Sequence, residues 1–185
     1  MAESPAFYSW RPAPSGPPVQ LPLFPDLQRW SRWVLKLHET SIVHYDFRLE
    51  MLGVLLSFVL LEPPSLDPDR WIEAKLVRDH DVKHIFSEHR IPAGSPGAGV
   101  TIPVDGGHYA PKMRKYVAND LEMLSQIGDG EVQIHLEGHH LQGGWQLRGE
   151  GEEWQIRKLP DEHASWTRVL SLDRSFLTGK GLSDY

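Results

Sequence analysis

The chain contains no cysteine. Disulfides and thiolate metal sites are therefore excluded, and any bound metal must be held by histidine, aspartate or glutamate. No run of about 18 apolar residues occurs, so no membrane-spanning helix is expected. The N-terminus lacks the basic stretch and apolar core of a secretory signal, and a cytoplasmic setting is the expectation. There is no basic excess either: 19 Lys and Arg stand against 25 Asp and Glu, a net charge of −6. Proteins that bind nucleic acid through bulk charge carry a basic surplus or face. Only a local cationic patch could serve here. Composition leaves the oligomeric state open.

What is present divides into two parts. Residues 1–27 hold seven of the fifteen prolines and little periodicity. They predict an extended proline-rich arm, laid over the body by Phe7, Trp10 and Phe24. Residues 28–185 are long enough to bury a core and predict a single domain.

Hydrophobic alternation with period two dominates that domain. RWVLKLH places Trp33, Leu35 and Leu37 on one face and Val34, Lys36 and His38 on the other. GVLLSFVLLE, WIEAKLVRDH, EVQIHLEG, GGWQLRG and EEWQIRKL read as further strands, with turns at QGG and GEGEE. HRIPAGSPGAGVTIPV reads as a Gly/Pro-rich loop running into a short strand. Residues 113–127 predict the one clear helix, with Val117, Leu121 and Leu124 on its apolar face and Gly128 at its end. SFLTGKGLSDY predicts a short terminal turn or helix. The expected fold is mostly β, a small antiparallel barrel or sandwich with one or two short helices.

HETSIVHYDFRLE, residues 38–50, sets ionisable chemistry into this pattern. Alternation puts His44, Asp46, Arg48 and Glu50 on one face, with Val43, Tyr45, Phe47, Leu49 and Met51 on the other. A hairpin through Glu39, Thr40 and Ser41 brings His38 beside them. Two imidazoles and a carboxylate suit Mn²⁺, Zn²⁺ or Fe²⁺, and an arginine alongside can grip an anion bidentately. On spacing alone, a solvated strand face with His–Asp and Arg–Glu cross-strand pairs explains the same residues equally well.

A longer string narrows the choice. LHETSIVHYDFRLEMLGVLLSF, PPSLDP, DH, IPAGSPGAG, LEGHHLQGGWQLR and WQIRKLPDEHA together resemble the 3′-phosphoesterase family, the end-healing module of bacterial DNA ligases of non-homologous end joining. The resemblance runs from Arg32 to Ala164, with an echo in TGKGLSDY. It implies a compact β-barrel and a Mn²⁺-dependent hydrolase that trims 3′-terminal ribonucleotides and removes 3′-phosphates from nucleic-acid ends. It makes His38, His44 and Asp46 metal ligands, Arg48 a phosphate contact, and His80 the second catalytic histidine. His84 stands where the family has a substrate-contacting tyrosine. His84 apart, the remaining histidines are expected to be structural or exposed.

The departures are chemical. Glu62 stands where the family has a lysine, Ile72 where it has an arginine, and Arg78 where it has an acidic residue. Losing two cations removes charge-assisted bonds worth about 1.5–3 kcal/mol each. Three readings follow: a divalent-metal phosphoesterase with altered substrate range, the same barrel turned to a non-nucleotide small-molecule substrate, or a non-catalytic binding module. The implied partner is a nucleic-acid 3′ end or a small molecule.

Overall fold

The structure is a computed structural model that describes residues 30–114 and 118–185. The arm expected over residues 1–27 lies outside the described residues. Nine strands are present: β1 (Ser31–Glu39), β2 (Val43–Met51), β3 (Val54–Leu60), β4 (Ile72–Asp81), β5 (His89–Ile91), β6 (Gly99–Pro111), β7 (Glu131–Glu137), β8 (Gln142–Glu150) and β9 (Glu153–Lys158). One helix, α1 (Asn119–Gly128), joins β6 to β7.

Neighbouring strands follow the order β1-β2-β3-β4-β9-β8-β7-β6, and β6 pairs back onto β1. All these pairings are antiparallel. The result is a closed eight-stranded barrel, the architecture that the family resemblance implies. Closure leaves no sheet edge to aggregate. The short β5 adds to β6 outside this ring, pairing His89 with Thr101.

Residues paired across antiparallel strands share a face, so the register assigns inside and outside. Trp33, Leu35 and Leu37 of β1 join Phe47, Leu49 and Met51 of β2 and Leu56, Phe58 and Leu60 of β3 in the main core. Trp145, Leu147, Trp154 and Ile156 fill it from the far wall. Each such side chain contributes about 1.5–3 kcal/mol on burial. The opposite parity faces outward: Lys36 pairs with Asp46, His38 with His44, and Val34 with Arg48.

That outer face is covered, not solvated. Val34, Leu55 and Ile85 form a second, smaller apolar cluster with Phe86 packed against it. The 3-10 turn Val82–His84 and the residues after it therefore lie over the outer wall beside β1 and β3. Glu50 pairs across the strands with Arg32, at 2.6 Å. Arg48 turns instead to Asp46.

Two elements differ from their sequence-based expectation. β6 is 13 residues long, because Pro103, Gly106 and Gly107 sit within it where they read as loop. A register shift between Leu35 and Lys36 reverses its parity: Pro103 faces outward opposite Lys36, and Asp105 faces inward opposite Leu35. The buried Asp105 carboxylate accepts N–H bonds from Gly106, His139, His140 and Leu141. Gly107 is required there, since a Cβ would lie 1.9 Å from the Glu137 carbonyl oxygen.

The helix begins at Asn119, six residues later than expected, so Met113 and Arg114 are outside it. Its buried residues are Asn119, Glu122, Met123, Gln126 and Ile127, while Leu121 is exposed. The polar members bury because they are satisfied. Glu122 accepts from Arg114 at 2.8 Å and from Gln126 at 2.7 Å, and Gln126 bridges the Lys112 carbonyl and the Gln133 N–H. The terminal stretch forms only a short 3-10 turn at Leu182–Asp184, as anticipated.

Candidate metal centre and its surroundings

His38 and His44 face each other directly across the β1–β2 hairpin, with ring centroids 4.8 Å apart. Asp46 follows on the same face of β2. One ligand atom from each of the three lies within 4.8 Å of the other two. His38 Nδ1 is 3.6 Å from Asp46 Oδ2, and His44 Nε2 is 3.6 Å from Asp46 Oδ1. Two ligand atoms each about 2.1 Å from one ion stand about 3.0–3.5 Å apart, so the spacing is close to that of a chelating set.

The hydrogen bonds argue the same way. His38 Nε2 lies 2.9 Å from the Gly97 carbonyl, which can only accept. This places the proton on Nε2 and leaves a bare lone pair on Nδ1, facing a carboxylate. Gly97 turns its carbonyl inward at φ +75°, a backbone shape that glycine adopts freely. That is the physical content of the IPAGSPGAG stretch. His44 Nδ1 is buried with no hydrogen-bond partner. The His38 Nδ1 lone pair and the Asp46 carboxylate converge beside the His44 ring, and a divalent cation fits that arrangement.

Charge on the donors also suits a metal. Burial alone would push the Asp46 carboxyl up, but the Arg48 guanidinium beside it holds it well below the usual carboxylate range. Burial lowers the His44 pKa, more than the Asp46 carboxylate raises it. An ionised carboxylate and a neutral imidazole are the forms that bind.

Arg48 closes one side. Its Nη2 donates to Asp46 Oδ2 at 2.7 Å, and its Nε is buried with no partner. His80 sits opposite Leu55 on β4. Its Nδ1 is 2.9 Å from Ser57 Oγ, which itself donates to the Leu55 carbonyl at 2.9 Å. Ser57 must therefore accept from Nδ1–H, and the lone pair of His80 is on Nε2. Burial, followed by the charge of Arg48, lowers the His80 pKa to about 4. A register shift between Leu55 and Ser57 places Arg78 and Asp79 on a bulge just before it.

His84 lies in the 3-10 turn, half-buried, with its pKa lowered chiefly by burial. Its backbone carbonyl receives Lys36 Nζ at 3.4 Å. The departures from the resemblance fall outside this group: Glu62 is ion-paired with Arg70 in an exposed loop, and Ile72 is fully buried in the barrel core. Arg78 is exposed. Of the other histidines, His135 packs edge-on to Trp30 and His139 on Phe176.

Lys36, Ser57 and Gly97 were not singled out from the sequence. For Lys36 the signal was present, since it shares parity with His38. Ser57 was hidden in an apolar strand. Gly97 contributes only a carbonyl, which no side-chain pattern can reveal.

A closed antiparallel barrel with a two-histidine, one-carboxylate cluster and an adjoining arginine on its outer wall defines a β-barrel with a candidate metal site. The family model of the DNA Ligase D 3′-phosphoesterase domain matches residues 36–148, a span that contains every residue of the cluster. The chain belongs to this 3′-phosphoesterase family. It is 34% identical over 148 residues to the multifunctional non-homologous end joining protein LigD of Pseudomonas aeruginosa, covering 77% of this chain and 16% of that protein. It is 30% identical over 135 residues to LigD of Mycolicibacterium smegmatis, covering 71% and 17%. With the non-homologous end joining DNA repair protein LigD of Mycobacterium tuberculosis the identity is 31% over 134 residues, covering 70% and 16%. The chain thus spans about a sixth of the length of these curated relatives.

Proposed function

We propose that the protein is a divalent-metal-dependent phosphoesterase that removes a terminal 3′-phosphate from a nucleic-acid end. One observation carries the reading: His38, His44 and Asp46 converge on a single point of the outer wall, beside the unsatisfied Nε of Arg48. The relatives' names, non-homologous end joining proteins, favour a DNA end as substrate. Mn²⁺ is the cofactor that the resemblance suggests, and the donor set also accepts Zn²⁺ or Fe²⁺. When bound, the ion would polarise a phosphoryl oxygen.

The protein's own groups supply the rest. Arg48 offers N–H donors to the phosphate oxygens and offsets charge that builds in the transition state. Asp46 keeps that guanidinium in place. A water oxygen forms a bond to phosphorus as the bond from phosphorus to the 3′ oxygen breaks. The leaving 3′ oxygen needs a proton, and His80 Nε2 is the nitrogen free to hold one, because Nδ1 is committed to Ser57. An approaching phosphate dianion raises the pKa of His80 from its low resting value and loads that proton. His84 lies at the margin, where it would contact the nucleotide that carries the phosphate.

The absence of a helix long and apolar enough to cross a membrane, among the described residues, fits a cytoplasmic setting. The test is phosphate release from a primer-template bearing a 3′-phosphate. Release with Mn²⁺ that stops with EDTA supports the reading. No release from a preparation with demonstrably bound metal would sink it in favour of a small-molecule substrate.

A further inference from the structure

Lys36 is a buried cation with no counter-ion. It is 1% exposed, on the same face as the metal cluster and directly opposite Asp46 in the register. Yet it does not pair with Asp46, whose carboxylate is taken by Arg48 at 2.7 Å and flanked by both histidines. Its ammonium instead makes two long bonds to neutral oxygens: Ser87 Oγ at 3.2 Å and the His84 carbonyl at 3.4 Å. No carboxylate of the described residues lies within ion-pairing distance of it. Glu88, the other acid in this region, is bonded to the Ser175 hydroxyl.

Lys36 is placed to add a second positive charge beside Asp46 and Arg48. A buried ammonium without an anion is costly, and burial, followed by the charge of Arg48, lowers the Lys36 pKa to about 7. A methionine would fill the same space without that cost. An anion bound at the cluster would favour the charged ammonium. Meanwhile the two positions where the family resemblance calls for cations, Glu62 and Ile72, contribute none: one is paired on the surface and the other lies inside the barrel.

We propose that Lys36 is the second cationic contact of the phosphate site, charged when the anion is bound, binding the same anion that Arg48 grips and standing in for the cations missing at positions 62 and 72. The inference rests on the phosphoester reading for its substrate, but binding of the anion can be tested without turnover. The alternative role for Lys36 is a structural clamp that holds the 82–88 segment on the barrel wall through Ser87 and His84.

The experiment uses the full Mn²⁺-loaded chain with inorganic phosphate as the probe, in Lys36→Met, Lys36→Arg and wild-type protein. Phosphate affinity, Mn²⁺ affinity, thermal unfolding without phosphate, and phosphate release from a 3′-phosphate primer-template are read in parallel. Lys36→Met should bind phosphate at least tenfold more weakly and lose at least tenfold in kcat/KM. Its Mn²⁺ affinity should stay within about threefold of wild type, and its unfolding temperature should be equal or higher. Lys36→Arg should recover phosphate binding in part. Should Lys36→Met fail to fold, Lys36→Gln keeps a donor for Ser87 and His84 without the charge and is held to the same outcomes. Wild-type phosphate affinity in the uncharged variant, or a fall in unfolding temperature with phosphate affinity unchanged, overturns the proposal in favour of the clamp. Wild-type protein that binds phosphate through Lys36 but releases none from 3′ ends would refute the end-processing reading alone.

Discussion

His44 is the residue on which the site turns, because it adds the second imidazole while touching little of the core. Its side chain is 12% exposed, and its Nδ1 makes no hydrogen bond. Replacing it by alanine should lower Mn²⁺ affinity by more than the ~10–100-fold typical of losing an outer-shell partner. Metal-free stability should change by less than about 1 kcal/mol. Calorimetric metal titration and urea unfolding separate the two effects. Asp79 carries a different prediction. Burial raises its carboxyl pKa from 3.8 to about 6, and its Oδ1 has no partner. The folded protein thus holds a proton there that the unfolded chain releases, and stability from this group falls as pH rises from 3.8 through 6. His80 works oppositely. Its pKa falls from 6.5 to about 4, so its contribution is complete above 6.5 and is lost as pH falls toward 4. Asp79→Asn removes only the first effect. The variant should be more stable than wild type above pH 6, with the difference vanishing below pH 3.8, as read from urea midpoints across pH.

At the level of elements, the β1–β2 hairpin was legible because its alternation is strict. Period two alone sorts Trp33, Leu35, Phe47 and Leu49 inward from Lys36, His38, Asp46 and Arg48 outward, and the register agrees. What the alternation could not show is that the outward face is itself covered. That depends on Ile85 and Phe86, which follow β4 and return to Val34 and Leu55. The length of β6 was illegible because Pro103 and Gly106 weaken any strand signal, and the bulge beside Val104 reverses parity midway. The helix face was misread at Leu121, which is exposed, because Glu122 and Gln126 are buried through bonds to each other and to Arg114, Lys112 and Gln133; Leu124 does pack on the core, and Val117 lies outside the described residues. The loop before β6 offers a test at this scale. Gly97 holds φ +75° so that its carbonyl meets His38 Nε2. Alanine there strains the loop and shifts that carbonyl, and Mn²⁺ affinity should fall by about tenfold, in the range of a lost outer-shell partner. Asp105→Ala should act on the fold instead. It leaves four N–H groups, two of them buried, without their acceptor and should cost about 3 kcal/mol or more, measured by denaturant unfolding.

For the whole molecule, the barrel separates stability from chemistry. The core lies inside the closed sheet, and the cluster lies on its outer wall, so lone pairs and charges are gathered without opening the interior. The net charge of −6 then has a plain reading. Bulk attraction to a phosphate backbone would be weak, and under the proposed function recognition would rest on the few groups around Asp46. An ion that binds the folded cluster in preference to the unfolded chain should stabilise the fold. At a hundredfold excess over its dissociation constant, an ion adds about 2.7 kcal/mol. For a domain of this size that is a rise of about 5–10 °C in Tm. The most direct measurement is therefore a Mn²⁺ titration of the metal-free protein, followed by calorimetry and thermal unfolding, with His44→Ala alongside. One ion should bind per chain and raise Tm, and His44→Ala should abolish both effects. A protein that takes up no ion, or one that His44→Ala binds as tightly as wild type, would contradict the metal centre described above.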